Sequence, residues 1–128
     1  MITQATGTVT ATGNATASQA NTIAGFTKAV VFSINDTASN IAGANSAARN
    51  EAVNITVTGT ANIDQANTIG GASNSGNTTY NISDTASNVA AGNGLNNATN
   101  ITITGNITID KATIVHNASN SGTNTYSI

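Results

Sequence analysis

Short stretches of alternating apolar and polar residues recur along the whole chain. Six of them begin at positions 9, 32, 55, 80, 101 and 126, so that they follow one another at a nearly regular interval. A period of two predicts β-strands with one buried face. When the stretches are aligned, the inward positions form two apolar columns. These are Val9, Phe32, Ile55, Tyr80, Ile101 and Tyr126, and then Ala11, Ile34, Val57, Ile82, Ile103 and Ile128.

The polar positions of the same stretches carry hydroxyl and amide side chains. They predict a ladder on the outer surface of one parallel sheet, whose strands would lie about 4.8 Å apart. The ladder consists of Thr10, Thr12, Ser33, Asn35, Thr56, Thr58, Asn81, Ser83, Thr102 and Thr104. This is the surface that the sequence favours as a binding site, if the chain has one.

The chain also repeats over a longer distance. The segment Ser33–Ala42 recurs as Asn81–Ala90, and a Thr-Gly pair recurs at equal spacing from positions 12, 58 and 104. Self-similarity at such a period is typical of repeat architectures. We therefore expect residues 1–128 to form a single solenoid of about six coils, or nearly three repeats of about 46 to 48 residues. Such a chain would be a fragment or a stackable unit of a longer array.

Two arrangements fit the segments between the strands. In the first, Asp36 and Asp84 cap short helices, as Asp64 and Asp110 would in the other half of the repeat, because Asp is a favoured N-cap residue. The result is an α/β solenoid of about 23 residues per coil, each coil a parallel strand plus a short helix as in leucine-rich repeats. In the second, an all-β solenoid or parallel β-helix, glycines at positions 13, 59 and 105 turn the corners.

Composition narrows the functional classes. Only 6% of the residues are charged and three are basic, so the sequence has no basic stripe with which to bind nucleic acid or an anionic membrane. Cysteine is absent, which excludes disulfides and thiolate metal sites. No apolar run is long enough for membrane insertion as a helix. A core built largely from alanine suits a thin stack of coils better than a thick globule.

The sequence resembles the repeats of very large bacterial surface proteins, in which two strand motifs alternate. Residues 82–90, which contain Ser83-Asp84-Thr85-Ala86, are followed by residues 97–105, which end in Thr104-Gly105. They resemble the two alternating strands of those arrays, which end in Ser-Asp-Thr-Ala and in Thr-Gly-Thr-Ala. The resemblance covers essentially the whole chain. It implies an extracellular or cell-surface protein that acts as an adhesin stalk, surface layer or filament. The calcium-binding glycine-aspartate nonapeptides common in such proteins are absent here.

Catalytic chemistry is not indicated. His116 is the only histidine and has no partners at a recognisable triad spacing, so we expect no enzyme activity, no cofactor and no metal. The Asn-x-Ser/Thr triplets, among them those at Asn54, Asn81 and Asn100, are expected to serve ladder hydrogen bonding rather than glycan attachment.

These observations predict a structural module that acts as a rigid spacer, adhesin stalk or filament subunit. Open solenoid ends expose unpaired strand edges, so we expect self-association through them or through neighbouring repeats. The alternative is a binding module that uses the outer ladder for ice or carbohydrate.

Overall fold

The computed structural model describes residues 7–128, which form one six-stranded sheet with short helices between the strands. The strands are all parallel and pair in chain order from β1 to β6. They are β1 Val9–Ala15, β2 Val30–Thr37, β3 Ile55–Ala61, β4 Thr78–Thr85, β5 Ile101–Asn106 and β6 Asn124–Ser127. The expected parallel sheet is therefore confirmed.

Helices occupy the segments between the strands and follow the two halves of the repeat. A single eight-residue helix follows each of β1, β3 and β5, whereas β2 and β4 are each followed by two shorter helical segments. The helices are α1 Ala17–Ala24, α2 Ala38–Gly43, α3 Ser46–Glu51, α4 Ile63–Gly70, α5 Ala86–Ala91 and α6 Ile109–His116, and a 3-10 helix spans Gly94–Asn97. The α/β prediction is confirmed, and the all-β alternative does not hold for residues 7–128.

The helices begin at capping residues that lie one or two positions away from the predicted ones. Thr37 and Thr85 are the N-caps of α2 and α5, where the sequence suggested Asp36 and Asp84. Asn62 caps α4 with a reciprocal Gln65 contact, which leaves Asp64 in the first turn. Asp110 likewise lies in the first turn of α6, behind Thr108. The predicted aspartate caps are therefore wrong, because a hydroxyl or amide residue with extended backbone occupies the N-cap position of each of these helices.

The core lies between one face of the sheet and the helices. Strand residues alternate between buried and exposed, and the helices turn small or branched apolar side chains inward, such as Ala66 and Ile69 of α4. The helices contact one another across successive strands: α1 with α3, α2 with α4, α4 with the 3-10 helix, and α5 with α6. Within residues 7–128, the opposite face of the sheet carries no helix layer.

The strand register differs from the predicted columns. Ile55 of β3 pairs with Ile34 on one side and with Thr78 on the other, whereas Ile101 pairs with Ile82. The prediction that Phe32, Ile55, Tyr80 and Ile101 share one row is therefore wrong, although each of these side chains is buried. Ile128, expected at the end of the second inner column, is 79% exposed.

A bulge in each of β1, β3 and β5 adds to the difference. In β3 the segment 57–59 lies opposite Tyr80 alone, and β1 and β5 place equivalent segments opposite Phe32 and Tyr126 in the same way. Gly59 and the equivalent glycine of β5 have φ +80°, a conformation that favours glycine. Extra residues on one strand displace its pairing along the neighbour. The pairing of Ile34 rather than Phe32 with Ile55 arises without a bulge, so the offset of equivalent residues is only partly due to the bulges.

Candidate functional site

The outer face of the sheet contains the ladder residues that the sequence singled out. Six of them are exposed, namely Thr10, Thr12, Asn35, Thr58, Thr102 and Thr104. The other four, Ser33, Thr56, Asn81 and Ser83, are half-buried. Their cross-strand neighbours follow the observed register, which joins Asn35 to Thr56 and Ser83 to Thr102 but pairs Asn81 with Thr60. The ladder consists of short rows rather than two continuous ones.

The observed rows include threonines that the sequence analysis did not single out. Thr79 extends the row of Asn35 and Thr56, Thr125 extends that of Ser83 and Thr102, and Thr37 pairs with Thr58. Continued alternation beyond the predicted strand ends could have revealed Thr37, because its parity matches that of Asn35. The outward positions of the six strands carry only Thr, Ser, Asn, Gly and one Val, so this face is uncharged throughout the described strands.

The face has a concave region beside the bulge of β1. A depression of about 260 Å³ is lined there by polar side chains and by apolar ones, namely Thr10, Thr12, Asn14 and Ser33 together with Ala11, Val31, Phe32 and Val53. Hydroxyl and amide groups therefore share the lining with apolar side chains. Such a surface can donate and accept hydrogen bonds, but its lining contains no titratable group for acid or base chemistry.

On the inner side, a carboxylate joins each of β2 and β4 to the helix that precedes the strand. Asp84 Oδ2 accepts a hydrogen bond from the Ile63 backbone N–H at 3.0 Å, across a separation of 21 positions in the chain. Asp36 Oδ2 accepts one from the Ala17 backbone N–H at the same distance. The donor in both pairs is the first residue of an eight-residue helix, whose N–H has no partner within the helix.

The surroundings of these carboxylates lower their pKa values. The Asn40 side-chain amide, followed by the Ala17 N–H, lowers the pKa of Asp36. Burial of Asp84 acts to raise its pKa, but the hydrogen bonds from Ile63, Asn88 and Thr85 outweigh this and the pKa is lowered. Donors that point at an ionised carboxylate favour the charged form. Both carboxyl groups therefore tend to stay ionised and to accept hydrogen bonds.

Asparagine side chains form a second set of links between successive units. Asn54 Oδ1 accepts from the Asn77 backbone N–H at 2.9 Å, and Asn100 Oδ1 accepts from the Thr123 N–H at the same distance. Asn81 Oδ1 in turn accepts from both the backbone and the side-chain N–H groups of Asn100. Three of the Asn-x-Ser/Thr asparagines are thus engaged in hydrogen bonds between neighbouring strands or loops.

The largest fully buried side chain is Tyr80, which links β4 to the 3-10 helix. Its hydroxyl donates a hydrogen bond of 2.7 Å to the backbone oxygen of Gly94. Burial raises the pKa of this phenol to about 12. An ideal Cβ on Gly70 would lie 2.5 Å from the Tyr80 hydroxyl, so the glycine leaves the space that the hydroxyl fills.

Within residues 7–128, no three His, Cys, Asp or Glu side chains cluster closely enough to hold a metal ion. His116 is exposed in the last turn of α6. Lys111 Nζ donates to Ser87 Oγ at 2.7 Å, which joins α6 to α5 at the exposed surface.

Comparison with known protein families, with curated proteins and with solved structures finds no match for the chain. Among the described helices, none has the length and apolar character needed to cross a membrane. The evidence on function therefore comes from the contacts and surfaces of the described residues.

Proposed function

We propose that the chain is a structural repeat module, a solenoid of about six coils from an extracellular bacterial surface protein. Its task there is that of a rigid spacer or adhesin stalk, or of a self-assembling filament subunit. The observation that carries the proposal is the recurrence of the same links between neighbouring units. The carboxylate link is present at Asp36 and Asp84, and the asparagine link at Asn54 and Asn100.

These links support a stack because each joins a unit only to its neighbour. The sequence separation between the partners is 19 or 21 for the carboxylate links and 23 for the asparagine links, close to one strand-to-strand interval. In repeat proteins stability is the sum of terms within each unit and terms between adjacent units. Side-chain bonds at every junction stiffen such a stack, and stiffness is what a spacer requires.

The extracellular setting and the self-association of the proposal have separate support. The first rests on the resemblance of the Ser83-Asp84-Thr85-Ala86 motif to bacterial surface repeats. The second rests on the sheet, in which β1 and β6 each pair with only one strand among the described residues. An unpaired strand edge can pair with another chain. Pairing between copies would extend the sheet and produce a filament.

An insertion of one repeat tests the stack. A second copy of residues 56–101 is inserted after Ile101, which keeps the phase of the Thr-Gly repeat. Two more strands should lengthen the particle by about 10 Å in small-angle X-ray scattering, with an unchanged cross-section. A matched variant that receives residues 67–112 at the same place has equal length but the wrong phase, and should be less stable.

Two results would contradict the proposal. An in-phase insertion that thickens the particle or adds only unfolded chain would exclude a stack of equivalent coils. For the filament form, light scattering and electron microscopy of the purified chain at increasing concentration should show growing rods. A strictly monomeric chain would remove the filament form and leave the spacer form.

A second candidate function is the binding of ice or carbohydrate by the outer face. The observation that favours it is the uncharged surface of hydroxyl and amide groups, with the depression beside Thr12 and Asn14. Thermal hysteresis and glycan-array binding test it, with Thr104→Lys on the face and Asn117→Lys at the end of α6 as the matched control. If the face binds, only Thr104→Lys should reduce the signal. A wild-type chain with no signal at high concentration would exclude this function.

A further inference from the structure

Each carboxylate of the Asp36 and Asp84 pair holds the starts of two helices at once. Asp84 Oδ2 accepts from Ile63 N–H at the start of α4, while Oδ1 accepts from Thr85 N–H at 2.7 Å and Asn88 Nδ2 at 2.9 Å at the start of α5. Asp36 repeats the pattern on α1 and α2, with its Oδ1 contacts at 2.8 and 2.9 Å. The same three-donor geometry thus occurs twice, at equivalent positions of two successive repeats.

The two oxygens have different tasks. Oδ1 binds groups one and four positions further along the chain, so it secures the local helix start. Oδ2 binds a group 19 or 21 positions earlier, so it provides the long-range link to the preceding helix. An ionised carboxylate only accepts hydrogen bonds, whereas a protonated one carries an O–H donor. Oδ2 has one N–H donor directed at it and Oδ1 has two, so a proton is accommodated most easily on Oδ2. A protonated Oδ2 is a weaker acceptor, and the long-range contact with the preceding helix is therefore the one that protonation weakens.

We infer that Asp36 and Asp84 are acid-releasable latches, whose protonation detaches the N-termini of α1 and α4 from the following strand while the sheet stays paired. This device goes beyond the spacer role and does not depend on it. It rests on the two carboxylate contacts alone. Ile109 begins α6 at the equivalent position and has no carboxylate contact within residues 7–128, so it provides an internal reference.

Few other charges surround the Asp36 latch. The elements α1, α2, β1 and β3 contain no charged residue, and the nearby α3 carries Arg49 and Glu51. Arg49 donates to backbone oxygens at the end of α2. Hydrogen bonds rather than an ion pair therefore hold Asp36 ionised.

The Asp84 latch has a similar setting. The elements α5, β3 and β5 are uncharged, and α4 carries Asp64. The helix α6, which packs on α5, carries Asp110, Lys111 and His116. Hydrogen bonds from backbone and amide donors lower the pKa of Asp84 as they do that of Asp36.

The direction of the pH effect follows from the lowered pKa values. The folded chain binds these protons less readily than the unfolded chain, whose carboxyl pKa is close to the ordinary 3.8. The stabilisation is therefore fully present above that pH and is lost as the pH falls through the lowered folded value. The latch is closed at neutral pH and opens only in acid.

Amide hydrogen exchange of the labelled full chain, followed by NMR, tests the latch. Between about pH 6 and about pH 2.5, protection of the Ala17 and Ile63 amides should fall at least about tenfold, while Ile82 in the sheet stays protected. The Ile82 amide donates to the Asn100 backbone oxygen at 2.8 Å and so reports on strand pairing. The protection of the Ile109 amide should show no comparable decrease in acid.

Variants locate the effect. Asp36→Asn should expose the Ala17 amide at neutral pH and leave Ile63 protected, and Asp84→Asn should do the reverse. Asp64→Asn is the matched control, since Asp64 is an exposed carboxylate in the first turn of α4, and it should change neither amide. If an Asn variant does not fold, the pH dependence of amide protection in the wild-type chain still tests the proposal. The proposal would be overturned if the Ala17 and Ile63 amides stayed protected from exchange in acid, or if they lost protection together with the Ile82 amide.

Discussion

Gly70 and Tyr80 should be strongly coupled in stability, because the glycine leaves space for the buried hydroxyl. Gly70 ends α4, and a Cβ placed on it would lie 2.5 Å from the Tyr80 hydroxyl. In the preceding repeat the equivalent positions are Ala24 and Phe32. In these two repeats the hydroxyl occurs with the glycine and the plain ring with the alanine, whereas the third repeat combines His116 with Tyr126, which is only partly buried.

The magnitudes follow from the contacts. Gly70→Ala forces the hydroxyl to move, an overpacking cost of about 1–3 kcal/mol that is partly offset by a gain of up to about 1 kcal/mol in helix propensity. Tyr80→Phe removes the hydrogen bond to the Gly94 oxygen and leaves that buried group unpaired, at a cost of about 1–3 kcal/mol. In the double variant the methyl group meets no hydroxyl, so the overpacking cost disappears.

We expect the double variant to be at least as stable as Tyr80→Phe alone. The coupling free energy should then be about 1–3 kcal/mol, which is the range seen for residues in direct contact. Urea unfolding followed by circular dichroism measures it in the four chains of the cycle. Thermal midpoints should move in parallel, by about 4 °C for each kcal/mol.

Gly43→Ala provides the matched control. A Cβ on Gly43 would meet no atom within 4 Å, so its effect should be the same with Tyr80 and with Phe at position 80. A Gly70→Ala effect that is equally large in both backgrounds would refute the reasoning. The tyrosine hydroxyl would then not be what requires the glycine.

Three further measurements test other contacts of the structure. Asn100→Ala should lower the free energy of unfolding by about 1–2 kcal/mol, because the Thr123 amide loses its acceptor, whereas Asn117→Ala at an exposed position should change it by less than about 0.5 kcal/mol. Thr85→Ala should cost about 1 kcal/mol by removing the N-cap of α5, which urea unfolding would detect. In an ultraviolet titration the ionisation of Tyr80 should appear only near pH 12, and Tyr80→Phe should abolish that step.

The sequence predicted the elements well because its periodicities are local. Alternation at Ile101 and Ile103 identified a strand, and both residues are buried. The helix that the sequence offered as one of two alternatives after this type of strand is present as α4, where Ala66 and Ile69 are buried. The outward parity of Thr56 and the other ladder residues followed from the same alternation.

The register and the links could not be read in this way. The predicted alignment paired residues at equal positions of the motifs, but Ile55 pairs with Ile34 and Thr78, and the bulge at Gly59 displaces the rest of β3 further. The sequence indicated only half of the role of Asp84. Its Oδ1 contacts the start of α5, next to the expected position, whereas its Oδ2 accepts from a backbone amide far away in the chain, that of Ile63.

By itself, the sequence determined the parallel strands, the buried and exposed faces, and the period at which the motifs recur, and it left helical and all-β connections both open. The strands, their faces and the repeat period depend on the polarity of side chains a few positions apart, which can be read directly from the order of the residues. The tertiary structure alone decided how far each strand slides along its neighbour and which backbone amides receive the aspartate and asparagine oxygens. Those choices pair polar groups from distant parts of the sheet and its helices, so no single segment of the sequence contains them.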